Sequence, residues 1–140
     1  MIRSIARYRF LLWMAAAGGC GGATPQECRE QHPPSPLSSE AEMAASRAAE
    51  DCVRDGGSSC DRSRFISAAA AECIARADGL KAGIAPWATQ LIYNYGRKTV
   101  IWGVRNTTKD LGRNGVSGDD VLIHATTGGI LERGAWQAIP

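Results

Sequence analysis

The 140-residue sequence contains few of the groups that enzymes and metalloproteins use for chemistry. It has two histidines, His32 and His124, and none of the motifs H-E-x-x-H, G-x-S-x-G, C-x-x-C or a glycine-rich phosphate loop. The cysteines from residue 28 onward are spaced by 24, 8 and 13 residues, which does not match the spacing of zinc ligands. We therefore predict no catalytic residue, no metal site and no cofactor.

His124 falls within a predicted strand, and its neighbours Ile123 and Ala125 occupy the strand face that we expect to be buried. A histidine between two inward-facing residues points outward and is half-exposed. The alternative is an enzyme with a site around His124, Asp119 and Asp120, but the sequence places no nucleophile or metal ligand beside them. We therefore interpret His124 as an outward-facing residue of a strand.

The sequence also lacks an apolar run long enough to cross a bilayer. The run from Phe10 to Ala17 has eight residues, whereas a transmembrane helix needs about 20. Arginines precede this run, and the small residues Gly18 and Gly19 follow it. That order is typical of a secretory signal peptide, and it predicts that residues 1–19 are removed.

The small residues lead to Cys20, and this segment resembles the lipobox of bacterial lipoproteins, whose cysteine receives the lipid. Lipidation of Cys20 leaves four cysteines, an even number that can pair, whereas ordinary signal cleavage after Ala17 leaves an odd thiol. We therefore predict a membrane anchor on Cys20 in the bacterial cell envelope. Gly21 stands where an inner-membrane retention signal has Asp, which favours the outer membrane. The alternative is a secreted or periplasmic protein.

The net positive charge of the full sequence comes from its first residues. Removing residues 1–19 takes away three arginines and no acids, which leaves 13 basic and 14 acidic side chains. Residues 20–79 are acidic in sum and residues 80–140 are basic in sum, as expected of two solvated surfaces. Binding to phosphates requires a net basic face. The composition therefore argues against nucleic acid as a partner.

Two segments precede the predicted sheet domain. Glycines and prolines interrupt residues 20–38, which predicts a flexible tether without regular structure behind the lipid anchor. Residues 39–62 follow as a helix and a disulfide loop. Its helix spans residues 40–54, with Ser39 and Glu42 as a capping box and a stripe of alanines as its buried face.

Residues 63–140 combine a second helix with a meander of strands. The helix spans residues 68–78, begins at the capping residue Ser67 and ends before Gly79. After it the apolar residues alternate with a period of two, which indicates strands. The predicted strands cover residues 91–95, 100–105 and 121–125, with a short fourth from residue 130. The fold class is therefore α+β, with one or two helices packed on a three- to four-stranded antiparallel sheet and stapled by disulfides.

This second region resembles a PepSY-type domain. The resemblance is carried by Phe65-Ile66-Ser67 before the alanine-rich helix and by the closing strand–turn–strand of residues 121–131. His124 stands where the family commonly has an acid, and Gly129 lengthens the turn. The resemblance implies an exported or membrane-attached, non-catalytic module that binds or restrains a partner, with peptidases as the candidate class. It brings no catalytic residues.

Four cysteines allow three pairings. We predict Cys52–Cys60, which closes a short loop, and Cys28–Cys73, which joins the tether to the second helix. A Cys52–Cys73 bond is the alternative if the helices cross instead of running as a hairpin.

The sequence offers one candidate surface for the protein partner. Trp136 lies near the C-terminus without periodicity around it, and we expect it to be exposed. Arg97, Lys98 and Arg105 are the basic residues that we expect to accompany it. We therefore expect a cell-envelope binding module, and the alternative is a structural or assembly subunit of an envelope complex.

Overall fold

The computed structural model describes residues 22–140, in which two helices pack on one face of an antiparallel sheet and a third, shorter helix packs on one of them. The predicted signal peptide and the predicted lipidation of Cys20 lie outside these residues. The α+β class is confirmed, with five strands instead of three or four. The helices are α1 (Pro25–Gln31), α2 (Ser39–Arg54) and α3 (Ala68–Ala77), and the strands are β1 (Ala88–Asn94), β2 (Thr99–Arg105), β3 (Lys109–Asp110), β4 (Val116–His124) and β5 (Ile130–Ala138).

Helix α1 lies where the sequence predicted an irregular tether, so that prediction is wrong for this segment. Pro25 occupies the first turn, where its missing N–H costs nothing, and the Thr24 hydroxyl caps the helix by accepting from the Glu27 N–H at 3.2 Å. A helix of seven residues is too short to be stable alone. Cys28, which is fully buried, joins it to Cys73 of α3.

Helices α2 and α3 begin at serine caps. Ser67 caps α3 as predicted, and its hydroxyl accepts from the Ala70 N–H. The cap of α2 is Ser38, one residue earlier than predicted, and its hydroxyl accepts from the Ala41 N–H. Ser39 is therefore already helical, so the predicted capping box does not form.

The sheet has the strand order β1-β2-β4-β5. The short strand β3 pairs with the first residues of β4, on the same edge of β4 that pairs with β2 further along, and β5 pairs with the other edge. Strand β4 begins at Val116, five residues before the predicted start, and β5 extends over nine residues to Ala138. Most of the additional residues are polar or small, and pairing with neighbouring strands, not alternating hydrophobicity, makes them extended. Among residues 22–140, no helix combines the length and the apolarity needed to cross a membrane.

The core lies between the helices and the sheet and has two parts. Around α3 it contains Ala70, Ala71, Ile74, Ala75, Val104, Val121 and Ile123. Around α2 it contains Ala45, Ala48, Phe65, Leu91, Tyr93 and Val100. Half-buried Trp102 packs against both parts.

Both predicted disulfides are present, since the sulfur atoms of Cys28 and Cys73 and of Cys52 and Cys60 are bonded. The alternative pairing of Cys52 with Cys73 is wrong. Cys52 lies in the last turn of α2 and Cys60 follows the turn at Gly56, so the second bond closes a loop next to the helix end.

Candidate functional site

The basic residues that we expected to accompany Trp136 lie in two separate places. Arg97 and Lys98 are in the β1–β2 turn, whereas Arg105 ends β2, about 20 Å away at the rise of an extended chain. An Arg97 Nη atom is 3.2 Å from a carboxylate oxygen of Glu132, and the Lys98 Nζ is 3.6 Å from one of Asp55. The three residues therefore do not form one continuous basic edge. A role of any of these residues in partner binding stays a prediction.

Trp136 is half-buried within β5, so the expectation of an exposed side chain is wrong. Its indole N–H donates to the Asn106 carbonyl at 2.7 Å. The guanidinium carbon of Arg105 lies 4.9 Å from the centre of its ring, within the range of a cation–π contact. Because β5 continues to Ala138, the indole lies along the sheet and is not part of a free C-terminal segment.

Asn106, which sequence reasoning missed, connects three segments at this end of the sheet. Its side chain is buried, with 1% exposure. The amide nitrogen donates to the Lys81 carbonyl at 2.8 Å, and the amide oxygen accepts from the Asp119 N–H at 2.7 Å. A buried polar side chain directly after a strand has no distinctive sequence signal, because its partners come from distant parts of the chain.

His124 is half-exposed and outward-facing as predicted, and it stabilises the turn that follows it. Its Nδ1 accepts from the N–H groups of Thr126 and Thr127 at 3.2 and 3.1 Å. Its Nε2 therefore carries the hydrogen and faces the Thr99 hydroxyl at 3.2 Å, which in turn donates to the Ser58 carbonyl. Burial lowers the pKa of His124. Both ring nitrogens thus have structural partners.

The acids that the enzyme alternative required are not grouped with His124. Asp120 is four residues before it on β4, about 13 Å along an extended strand, and Asp119 lies on the opposite face of that strand. Within residues 22–140, no three His, Cys, Asp or Glu side chains are grouped so that they could hold a metal ion.

The candidate binding site is a groove of about 690 Å³ between α2 and the start of α3. Its apolar lining comes from both helices, from the segment before α3 and from the helix-covered face of the sheet. These residues include Leu37, Ala41, Ala44, Phe65, Leu91 and Trp102. The alanines of α2 are small, so the space between the helices is not filled by side chains. We call this space the interhelical groove.

Two of the polar side chains at the interhelical groove, those of Arg62 and Trp102, are hydrogen-bonded within the protein. The guanidinium of Arg62 donates to Glu42 and Ser46 of α2. The Trp102 indole N–H donates to the Ile66 carbonyl at 3.1 Å. With these polar groups satisfied within the protein, the groove favours an apolar occupant.

Comparison with known proteins adds no further constraint on the site. No protein-family model, curated protein or solved structure matches this chain. The resemblance to PepSY-type domains therefore stays a prediction.

Proposed function

We propose that the protein is a lipid-anchored, non-catalytic binding module of the bacterial cell envelope that holds a segment of a partner protein in the interhelical groove. The observation that carries the proposal is the groove itself, an open apolar space against the helix-covered face of the sheet. Apolar side chains that enter such a groove leave water and displace no internal hydrogen bond.

A protein segment fits this site better than a small polar ligand does. The groove reaches β1 at Thr89, Gln90 and Leu91. Strand β1 pairs with β2 along one edge, and no strand within residues 22–140 pairs with its other edge. A free edge offers backbone N–H and C=O groups to an extended segment, while adjacent pockets take its side chains.

A neighbouring cleft of about 620 Å³ has a different character. It lies between α1 and the segment before α3, and Arg29, His32 and Arg64 are among the residues that line it. Because Arg29, Arg64 and the acidic Glu30 all line it, this cleft favours a charged or polar ligand over an apolar side chain. We therefore assign the partner to the interhelical groove.

The order of elements in residues 63–140 supports the PepSY-like interpretation, because α3 is followed by an antiparallel meander. On this interpretation the partner is an extracytoplasmic peptidase, which the module binds or restrains. A structural or assembly role in an envelope complex predicts a partner without peptidase activity. The two roles therefore differ in the identity of the bound protein and in its activity.

The test compares two variants of α2. Ala44→Phe places a ring in the interhelical groove, whereas Met43→Phe places the same ring on the exposed neighbouring position, which does not line the groove. Tagged, lipidated protein is captured from gently solubilised envelopes, and its partners are quantified by mass spectrometry. We expect a stoichiometric partner with the wild type and Met43→Phe that Ala44→Phe loses.

Retention of the same partner by Ala44→Phe would contradict the groove as the binding site. If the partner that is lost is a peptidase, its activity is then measured with and without the purified module. Inhibition by the wild type and not by Ala44→Phe supports the restraining role, and unchanged activity with both refutes it.

A further inference from the structure

Residues 81–87, between α3 and β1, form an apolar surface loop. Ile84 is 64% exposed, and Ala82, Ala85 and Pro86 are exposed beside it. Single exposed apolar side chains are common on protein surfaces, but several on one loop indicate a contact surface.

Three hydrogen bonds, one within the loop and two to the segment after β2, hold this loop in one conformation. The Trp87 indole N–H and the Asn106 amide both donate to the Lys81 carbonyl, at 3.2 and 2.8 Å. The Ile84 N–H donates to the Thr107 carbonyl at 2.8 Å. The loop therefore presents Ile84 from a fixed backbone, so that little conformational freedom is lost when the side chain is bound.

The loop and the proposed lipid anchor leave the protein from the same turn of α3. Gly22 lies against that turn, since a Cβ atom at Gly22 would be 2.6 Å from the Cα of Ala77. Cys20 precedes Gly22 by two residues, which is at most about 7 Å of extended chain. The loop follows α3 after Gly79 and Leu80. A lipid on Cys20 therefore keeps this end of the molecule near the bilayer.

The residues beside the loop have the chemistry of a membrane interface. The guanidinium carbon of Arg76 is 5.1 Å from the centre of the Trp87 ring, and Lys81 is exposed at the start of the loop. Tryptophan and basic side chains are enriched where proteins meet headgroups, because each has an apolar body and a polar end. Basic side chains also favour a surface that contains anionic lipids.

From these observations we infer that residues 81–87 are a membrane-contact loop, with Ile84 entering the interface of the leaflet that carries the Cys20 lipid. The inference rests on the lipid anchor of the proposed function. The Cys20 lipid attaches the protein to the membrane at one point, and an apolar loop beside it adds a second point of contact. The loop thereby also sets which end of the protein faces the bilayer.

The experiment measures the depth of the loop in the bilayer by tryptophan quenching. Lipidated full-length protein is reconstituted in vesicles of phosphatidylethanolamine and phosphatidylglycerol whose acyl chains carry bromine. Ile84→Trp is compared with Val53→Trp, because Val53 is 70% exposed and lies near the end of α2, close to the β1–β2 turn. The wild-type signal is subtracted from both.

We expect bromine to quench the added Trp at position 84 at least about twofold more than the one at position 53. A second measurement follows the quenching of the native tryptophans, of which Trp87 lies in the loop. This quenching should fall in Ile84→Ser, because the binding constant of the loop for the bilayer falls by about tenfold, and it should stay unchanged in Val53→Ser. Equal quenching at positions 84 and 53 overturns the inference.

Mass spectrometry of the intact protein distinguishes a failure of this inference from a failure of the proposed function. An acylated protein without quenching at position 84 overturns the loop inference and leaves the anchor. A protein without acyl mass on Cys20 overturns the anchor and removes the premise of the loop inference. An acylated protein with selective quenching at position 84 supports both.

Discussion

Removing the Cys28–Cys73 bond should destabilise the protein more than removing Cys52–Cys60. The first bond closes a loop with a sequence separation of 45 and the second one of 8. In the chain-entropy model the stabilisation grows with the logarithm of loop length, which gives about 4 kcal/mol for the first bond and about 2.5 kcal/mol for the second. The structure adds a reason for the same order, because α1 has only seven residues and is joined to α3 by this bond.

The assay is urea unfolding at neutral pH of two double variants, Cys28→Ala with Cys73→Ala and Cys52→Ala with Cys60→Ala. We expect a lower free energy of unfolding for the first variant, by about 1.5 kcal/mol relative to the second. Fully reduced wild type serves as a control and should be less stable than either. An equal loss in the two variants, or a larger loss in the second, would refute the loop-length argument.

Three further predictions concern polar groups of the sheet. Burial lowers the pKa of His124 below its ordinary 6.5. The wild type should therefore lose stability relative to His124→Asn as the pH falls from neutrality through the lowered pKa. Thermal unfolding of both proteins across this pH range measures the difference, and parallel stability profiles would contradict it. Asn106→Ala should cost about 2 kcal/mol, since the Asp119 N–H loses its partner and the Lys81 carbonyl keeps only the Trp87 indole, while exposed Asn114→Ala should cost little in the same unfolding assay. Burial and the hydrogen bond to Asp55 raise the pKa of Tyr93 to about 12. The difference in phenolate absorbance between the wild type and Tyr93→Phe should therefore appear with a midpoint at about pH 12, and a midpoint near the ordinary pKa of about 10 would contradict this.

The elements that the sequence predicted well are those whose signals are local. The serine before α3 and the glycine after it are caps, and the spacing of alanines and Cys73 reports the buried face of that helix. Alternating apolar residues likewise indicate the β1–β2 pair, because one face of each strand lies against the helices. Local signals of this kind need no knowledge of the partner segment.

The elements that were missed depend on distant partners. The first half of β4 contains Gly118 and two acids, and it is extended because β5 and β3 pair with its two edges. Helix α1 contains one buried residue, and the disulfide to α3 compensates for its small apolar surface. Composition alone described both segments as loops, because the contacts that order them are nonlocal.

The candidate sites were missed for the same reason. The interhelical groove exists only when α2, the start of α3 and β1 are brought together, and each contributes residues that look unremarkable in sequence. Residues 81–87 did carry a local signal, several apolar residues with a proline and no alternation. Their exposure depends on the folded chain, in which Asn106 from the end of β2 binds the Lys81 carbonyl at the start of the loop.

The alanine stripe of α2 links the stability of the protein to its proposed binding role. Small side chains bury little apolar area and leave the groove open, so stability and binding should change in opposite directions when the groove is filled. Ala44→Leu adds carbons that would lie against the groove lining, and partial burial of them should raise the free energy of unfolding by about 1 kcal/mol. The same change should weaken capture of the partner, with Met43→Leu as the control for both measurements. A loss of stability in Ala44→Leu would show that the space is too small for added carbons, and it would argue against the groove as a site for partner side chains.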